Sequence, residues 1–448
     1  MSNLGFQSLF HRVSLFHGLQ VHRFFIERDG TMFCPDLRRS PNLSKYDVLF
    51  FSVSFELDYP QLLRMLMTAG IPLEREAREE GGPFLVIGGI TVTANPKILS
   101  PFADIIYVGD MECSIAEVVG LMLEHGFMRE RALFDQLAGL SGVYVPAVHG
   151  REPVPKAHMK RISEPAHTVV LTENTEFANR FLVEIGRGCR NQCRFCMTRC
   201  VNNPLRNIPV ARVMETLDHA VSLTRRVGLI APVLTDHPGL GDMVRAMNGR
   251  GMTVSFSSLR ADDFNEEVAA LLRYNGQYSV TFAPETGTVE LRRRIGKKLT
   301  NEELLRAVDI ALTHDIRRFR YYLMFGLPGE SEQDIAAVGV LARETVKLFG
   351  GLKAELHLSI NPFVPKLGTV LGSYRLYPLE YYTGVKRALE QGLRGVERVR
   401  YRIESLKQLH LHYYLSVGDE RVGSLLGCCV EKGSFRGFSE AARETAGY

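Results

Sequence analysis

No stretch of this 448-residue chain approaches the roughly 18 consecutive apolar residues that would span a bilayer. Its opening, MSNLGFQSLFHRVSLFHG, lacks a charged start, a long apolar core and a small-residue cleavage site, so no secretory signal is expected. A large excess of one charge is missing too. The 54 Lys and Arg against 50 Asp and Glu leave a formal net charge of +4, too mild to argue by itself for nucleic acid. There is no internal repeat of solenoid period and no low-complexity tract. General disorder is excluded, because hydrophobic residues make up 45% and charged residues 23%, a globular balance. The expectation is a soluble, cytoplasmic protein of roughly two or three domains.

Cysteine is sparse, and eight in a large cytosolic chain do not make a disulfide framework. Their distribution is informative. Cys189, Cys193, Cys196 and Cys200 fall in one short segment, whereas Cys34, Cys113 and the pair Cys428/Cys429 are scattered. The adjacent pair reads as buried small residues.

Residues 1–147 alternate strand and helix. Apolar runs at Tyr46–Ser54, Phe84–Ile87 and Asp104–Val108 suit buried parallel strands, with Gly88-Gly89 and Gly109-Asp110 at the ends of the last two. Such a pattern predicts a small Rossmann-like, doubly wound α/β sheet. The Gly88-Gly89 turn suits either a close ligand approach or a tight strand-to-helix turn. Residues 148–180, with Pro153, Pro155 and Pro165, read as a linker.

Strands are then expected at 182–186, 229–234, 252–257, 278–282, 319–324 and 355–360, with helices such as Val210–Thr224, Glu266–Tyr274, Asn301–Thr313 and Glu332–Leu348 between them. These units fit a partial (β/α)6 barrel over 181–370, with its site at the C-terminal ends of the strands. A small α+β extension, 371–448, has a helix near 378–391 and a strand at 396–403.

Just beyond the first barrel strand, Val183-Glu-Ile-Gly-Arg-Gly-Cys189-Arg-Asn-Gln-Cys193-Arg-Phe-Cys196 sets three thiols at CxxxCxxC spacing. Three thiolates on one loop can hold three irons of a cubane and leave the fourth without a protein ligand. Zinc is the rival by spacing alone, with Cys200 or a histidine as fourth ligand. The segment, with aromatic Phe195 before the third cysteine, resembles the signature of the radical S-adenosylmethionine (SAM) superfamily. Further runs follow in that family's order: Pro232–Asp236, Val254–Arg260, Thr281–Thr288, Tyr322–Glu330 and Ile360–Lys366. Together with Asp47–Ser52, Gly109–Glu112 and Gly418–Arg421, they resemble the subgroup that carries an N-terminal cobalamin-binding-like domain.

The resemblance implies a catalytic [4Fe-4S] cluster on Cys189, Cys193 and Cys196, with Cys200 dispensable. It implies that SAM is cleaved reductively to a 5′-deoxyadenosyl radical acting on an unidentified substrate. Electrons would come from a donor such as flavodoxin or ferredoxin. Phe195 would pack near the adenine, and Gly326 to Gly329 would let the backbone pass close to it. Thr235 and Asp236 stand where the family often has Gly-Gly-Glu, which this chain lacks. Glu285 suits a SAM contact, a helix N-cap or a salt bridge near Arg292–Arg294. Arg260 suits the SAM carboxylate or a strand brace, and Arg292, Arg293 and Arg294 read as a solvated helix face.

Cobalamin would run its nucleotide past Gly88, Gly89, Gly109 and Asp110 and support methyl transfer. The Asp-x-His-x-x-Gly motif of many cobalamin domains is absent, and His11, His17 and His22 lack its context. A degenerate domain kept for packing is the alternative. Methylthiolation would need three N-terminal cysteines, and only Cys34 and Cys113 are there. A non-catalytic iron–sulfur electron carrier or zinc-stabilised binding protein would need four protein ligands. Finally, Arg398, Arg400 and Arg402 share one face of the last strand, which suits RNA, an acidic polypeptide, or an edge kept soluble by charge. His410 and His412 read as structural.

Overall fold

The computed structural model describes residues 3–27, 29–38, 42–78, 82–257 and 259–446, so Ser258 of the Val254–Arg260 run lies outside it. The N-terminal domain comprises α1 (Leu4–Ser14), β1 (Val48–Ser52), α2 (Tyr59–Thr68), β2 (Phe84–Gly88), α3 (Ile90–Ala94), β3 (Ile105–Tyr107), α4 (Ile115–Glu124), α5 (Arg131–Ala138) and β4 (Val143–Tyr144). Strands β1, β2 and β3 pair in parallel in chain order, and β4 returns antiparallel beside β3. Both faces are covered, so the strands are apolar throughout. Leu85 and Ile87 pack with Leu62, Leu63 and Leu66 of α2. Phe84 and Val86 face Val118, Val119 and Met122 of α4.

The second domain runs β5 (Phe181–Glu184), α6 (Met197–Asn202), α7 (Val210–Ala220), β6 (Arg226–Ile230), α8 (Leu240–Gly249), β7 (Thr253–Ser255), α9 (Glu266–Tyr274) and β8 (Ser279–Glu285). It continues through α10 (Val289–Arg294), α11 (Asn301–Thr313), β9 (Arg318–Phe325), α12 (Glu332–Leu348), β10 (Glu355–Pro362), α13 (Leu379–Leu393) and β11 (Val399–Ile403). Its strands form two parallel ladders, β7-β6-β5 and β8-β9-β10-β11. The Leu259 amide bonds the Thr281 carbonyl at 3.1 Å across the break between them. The result is an open, partial barrel with helices outside. Phe319, Tyr321, Leu323 and Phe325 of β9 bury their side chains on the helix-covered face of the sheet.

Three helices start on local N-caps: α9 after Asn265, α11 after Thr300 and α12 after Ser331, the last two with full capping boxes. The strand expected at 229–234 is displaced to Arg226–Ile230. Pro232 has no N–H to give a ladder, and the chain turns there instead. The strand expected in the C-terminal extension is β11, laddered to β10 as the edge of the barrel sheet. The remaining helices, α14 (Leu409–Val417), α15 (Glu420–Glu431) and α16 (Phe438–Ala446), return to the first domain. Asn95 Nδ2 donates to the Ser416 and Gly418 carbonyls at 3.2 and 2.8 Å.

Two further readings are corrected. Arg292 is 0% exposed, not solvated. Its guanidinium is consumed by the carbonyls of Pro284, Thr286 and Leu299 and by Asn301 Oδ1. Of the cysteine pair on α15, Cys429 is buried and Cys428 exposed, because adjacent helical positions point about 100° apart. Among the described residues no helix is long and apolar enough to cross a membrane.

Candidate active site

The three-cysteine loop leaves the end of β5 through a two-residue antiparallel ladder, Gly186–Arg187 with Arg206–Asn207. Gly188 has φ +86°, and a Cβ there would lie 2.4 Å from the Pro204 carbonyl oxygen, so only glycine admits this turn. Asn203 Oδ1 accepts the Cys189 N–H at 2.8 Å. Asn191 directs both its backbone N–H and its side-chain amide at Cys189 Sγ, each at 3.4 Å. The far side of the loop is bonded to the barrel. The Arg194 N–H reaches the Ile295 carbonyl at 2.8 Å, and its carbonyl accepts the Leu371 N–H at 3.1 Å. Phe195 packs with Met324 against Leu291, Ile295, Leu327, Phe363 and Leu371.

The loop faces charged groups from the strand ends. Burial pushes the Cys193 thiol up; nearby Lys297 and Arg260 pull it down, while Cys196 and Glu285 push it up. Glu285 ends β8 in a left-handed conformation, φ +70°, and pairs with Lys297 at 2.8 Å. Of the readings for Glu285, the salt bridge is present, but with Lys297 in place of the arginines, and the N-cap of α10 is Thr288. Arg260 ion-pairs with Asp262 and lies 3.7 Å from Asp263. Arg190 spans Asp236 at 2.6 Å and Asp263 at 2.9 Å. The Thr235 hydroxyl donates to Asp263 at 3.3 Å. Asp236 has Arg190 close by, but neither oxygen has hydrogen-bond geometry with any partner, and burial raises its pKa. The fold thus gathers Phe195, Thr235, Asp236, Arg260 and Glu285 around the cysteines.

Gly326 and Gly329 adjoin the same site with φ of +79° and +74°, but protein atoms fill the space beside them. A Cβ at Gly326 would meet the Tyr382 ring at 2.3 Å, and one at Gly329 would meet Arg294 Nη1 at 2.7 Å. Glu330 accepts the Gly326 N–H at 2.7 Å and the Tyr381 hydroxyl at 2.9 Å. Burial raises that carboxyl to about 7.

Gly88 and Gly89 lie at the end of β2 on a cavity of about 300 Å³ between the domains. Gly109, Asp110 and Glu112 line it from the first domain, and Glu184, Arg187 and Ile230 from the second. A Cβ at Gly89 would strike the Val53 carbonyl oxygen at 2.1 Å. This cavity shares Asn3, Leu9, Phe50, Phe51 and Ser52 with a second one of about 540 Å³ beneath α1. Arg187 pairs across the junction with Asp110 and Glu112 at 2.8 and 2.9 Å, and within its own domain with Glu184 at 2.8 Å.

Sequence reasoning missed Lys297, Arg190, Asp263 and the Arg187 network. Each looks like an ordinary loop charge until its distant partner is placed. It also missed Lys366, which donates to Glu56 at 2.7 Å and Ser416 at 3.1 Å and lies 2.6 Å from His412 Nε2.

Comparison with known proteins fits this geometry. Residues 5–146 match the family model "Radical SAM proteins, N-terminal", and residues 183–341 match "Radical SAM superfamily". An uncharacterized protein of Methanocaldococcus jannaschii is 24% identical over 95% of this chain and 87% of its own. The radical SAM methyltransferase TsrM of Kitasatospora setae, solved with cobalamin and a [4Fe-4S] cluster, superposes with TM-score 0.55. It has 14% identity and covers 92% of this chain and 90% of its own. The cobalamin-dependent SAM radical enzyme OxsB, solved with aqua-cobalamin and SAM, gives TM-score 0.53 at 15% identity, covering 80% of this chain and 50% of its own. At these identities the structural likeness establishes the fold.

Proposed function

The chain belongs to the radical SAM superfamily and is an enzyme of it, and from that premise we propose that it carries out cobalamin-dependent methyl transfer driven by a cluster on Cys189, Cys193 and Cys196. The observation that carries this reading is the donor set of the loop. Of the three free thiols, Cys193 lies beside two cationic side chains, Lys297 and Arg260, and Asn191 offers two N–H groups to the sulfur of Cys189. Thiolates need such compensation, and N–H donors to ligand sulfurs tune a cluster's potential. Among the described residues no three His, Cys, Asp or Glu side chains converge where one ion could be held. Thiols serving separate corners of a cube need no such convergence, unlike the ligands of a single zinc.

A [4Fe-4S] cluster supplies the electron that cleaves SAM, and cobalamin supplies a carrier for the methyl group. The chain's own residues do the positioning. Phe195 and Met324 form an apolar wall that excludes water beside the loop. Glu285, held by Lys297, offers its carboxylate to the amino or ribose groups of SAM, and Arg260 offers positive charge. A corrin with its nucleotide tail would lie along the interdomain cavity and the one that adjoins it beneath α1. A flavodoxin- or ferredoxin-like protein would deliver the electrons.

The test is anaerobic reconstitution with iron and sulfide, with and without cobalamin, followed by reduction, addition of SAM and mass spectrometry of the nucleosides. 5′-Deoxyadenosine establishes radical SAM chemistry, and S-adenosylhomocysteine formed only with cobalamin establishes methyl transfer. A fully loaded cluster that yields neither product overturns the reading. Cys200→Ala is expected to retain the cluster, since Cys200 sits on α6 beyond the loop.

A further inference from the structure

The face of the β8–β11 sheet turned away from the helices has an unusual charge. Parallel pairing sets Thr281, Arg320, His357 and Arg400 in one row across the four strands, and Tyr322, Ser359 and Arg402 in the next row towards the strand ends. Laddered partners share a face. Arg320, Tyr322, Arg400 and Arg402 are exposed, whereas the intervening residues of β9 and β10 are buried under helices.

At the foot of the same strands lies a cavity of about 770 Å³. Its cationic lining is Arg317, Arg318, Lys353, Arg398 and Arg400, and Glu355 is its one carboxylate. Arg317 is paired with Asp315 at 3.0 Å and Arg398 donates to the Gly350 and Leu352 carbonyls, but Arg318 and Arg400 are poorly compensated, with Glu355 at 3.9 and 3.8 Å. No described carboxylate pairs with Arg320. His357 registers the surplus, its pKa lowered by burial and then by Arg320 and Arg400.

Apart from Arg402, which has Glu404 at 3.1 Å, the face then becomes neutral towards the active site. Tyr322, Ser359 and Asn361 follow, and at the top Met324 touches the Phe195 cluster. The rise from Arg318 to Phe325 is about 23 Å at roughly 3.3 Å per residue.

We propose that the substrate is a phosphate-bearing small molecule whose anionic end is held by the foot cavity and Arg320, with the rest lying along this face towards the cysteine loop. The inference rests on the radical SAM reading and names the substrate class for that same site. Guanidinium groups pair phosphate oxygens bidentately, and a cavity of this size suits a nucleotide-sized ligand. Charge kept only to protect an exposed edge would be confined to β11. It leaves Arg318 and Arg320, two strands in from that edge, without a purpose. A nucleic-acid duplex would reach the edge arginines and not the Arg320–His357 row.

The test measures binding to the reconstituted enzyme with SAM present, by calorimetry, using inorganic pyrophosphate, adenosine diphosphate and a 20-nucleotide single-stranded RNA as probes. Both small probes are expected to saturate one site. Arg320→Gln and Arg400→Gln should each weaken them at least tenfold, while Arg131→Gln, on α5 of the other domain, should not. If pyrophosphate alone binds, the phosphate is recognised free; if adenosine diphosphate binds more tightly, the ligand is a phosphate ester. No saturable binding of either, or binding indifferent to Arg320→Gln, overturns the proposal. So does RNA that binds more tightly than both with a steep salt dependence. Wild-type cleavage of SAM, followed in the same preparation, separates the outcomes. Its absence sinks the superfamily chemistry, whereas its presence without anion binding sinks only the substrate class.

Discussion

The domain junction and the foot of the barrel both collect arginines, and they use them in opposite ways. At the junction Arg187 is 14% exposed and is held by three carboxylates, one of which, Asp110, also binds Arg206. Every donor there has an acceptor inside the protein. At the foot Arg318 and Arg400 are 73% and 81% exposed and share one distant carboxylate. The first arrangement joins two domains. The second leaves positive charge available to something outside the chain. Residue type is the same in both; what differs is whether the fold supplies the counter-charge.

Removing a junction arginine should have the largest effect. Arg187→Met would strand Glu112 and Glu184, with 8% and 11% side-chain exposure, and leave Asp110 to Arg206 alone among the arginines. Breaking a buried ion network from one side costs roughly 3–5 kcal/mol. Urea unfolding should show a loss of that order. A loss below about 1 kcal/mol would mean that water already enters the junction and that the contrast with the foot is false.

A third cluster sharpens the comparison through pH. Glu56, Lys366 and His412 come from the loop after β1, the loop after β10 and helix α14, and the outermost two are 356 residues apart. Burial would raise the Glu56 carboxyl, but hydrogen bonds from His412 and Lys366 and the lysine charge outweigh it and bring it to about 2. A carboxyl lowered on folding adds stability that is fully present above its unfolded value, near 4.5. That stability is lost as the pH falls through 4.5 towards 2. The shift corresponds to about 3 kcal/mol. Between pH 6 and pH 2.5 the wild type should therefore lose more stability than Glu56→Gln, by up to that amount. Parallel losses would show that Glu56 is not ion-paired in solution.

What could be read from the sequence follows the range of the interactions. The starts of helices α9, α11 and α12 were legible because Asn265, Thr300 and Ser331 cap them within four residues. The cysteine loop was legible because its spacing is itself local. The six barrel strands carried enough periodicity to place the site at their C-terminal ends, and only the one ending before Pro232 was misplaced. Pairings across the fold were not legible. Lys366 meets Glu56 from 310 residues away, and Arg187 meets Asp110 from 77. Arg292 looked solvated because its acceptors are backbone carbonyls, which no side-chain pattern announces. His412 read as an unremarkable histidine because its carboxylate partner, Glu56, stands 356 residues away.

The smallest expected effect closes the comparison from the other side. Arg400→Gln and Arg402→Gln should each change unfolding stability by no more than about 0.5 kcal/mol. Arg400 stands 3.8 Å from Glu355, and Arg402 is 74% exposed with only Glu404 at 3.1 Å. Exposed pairs of this kind gain little Coulomb energy and lose side-chain entropy. Thermal melts at low and high salt measure it directly. If stability holds while anion binding falls, the arginines serve the ligand and not the fold. A loss above about 1 kcal/mol would instead make them structural, and the two regions would then differ only in exposure.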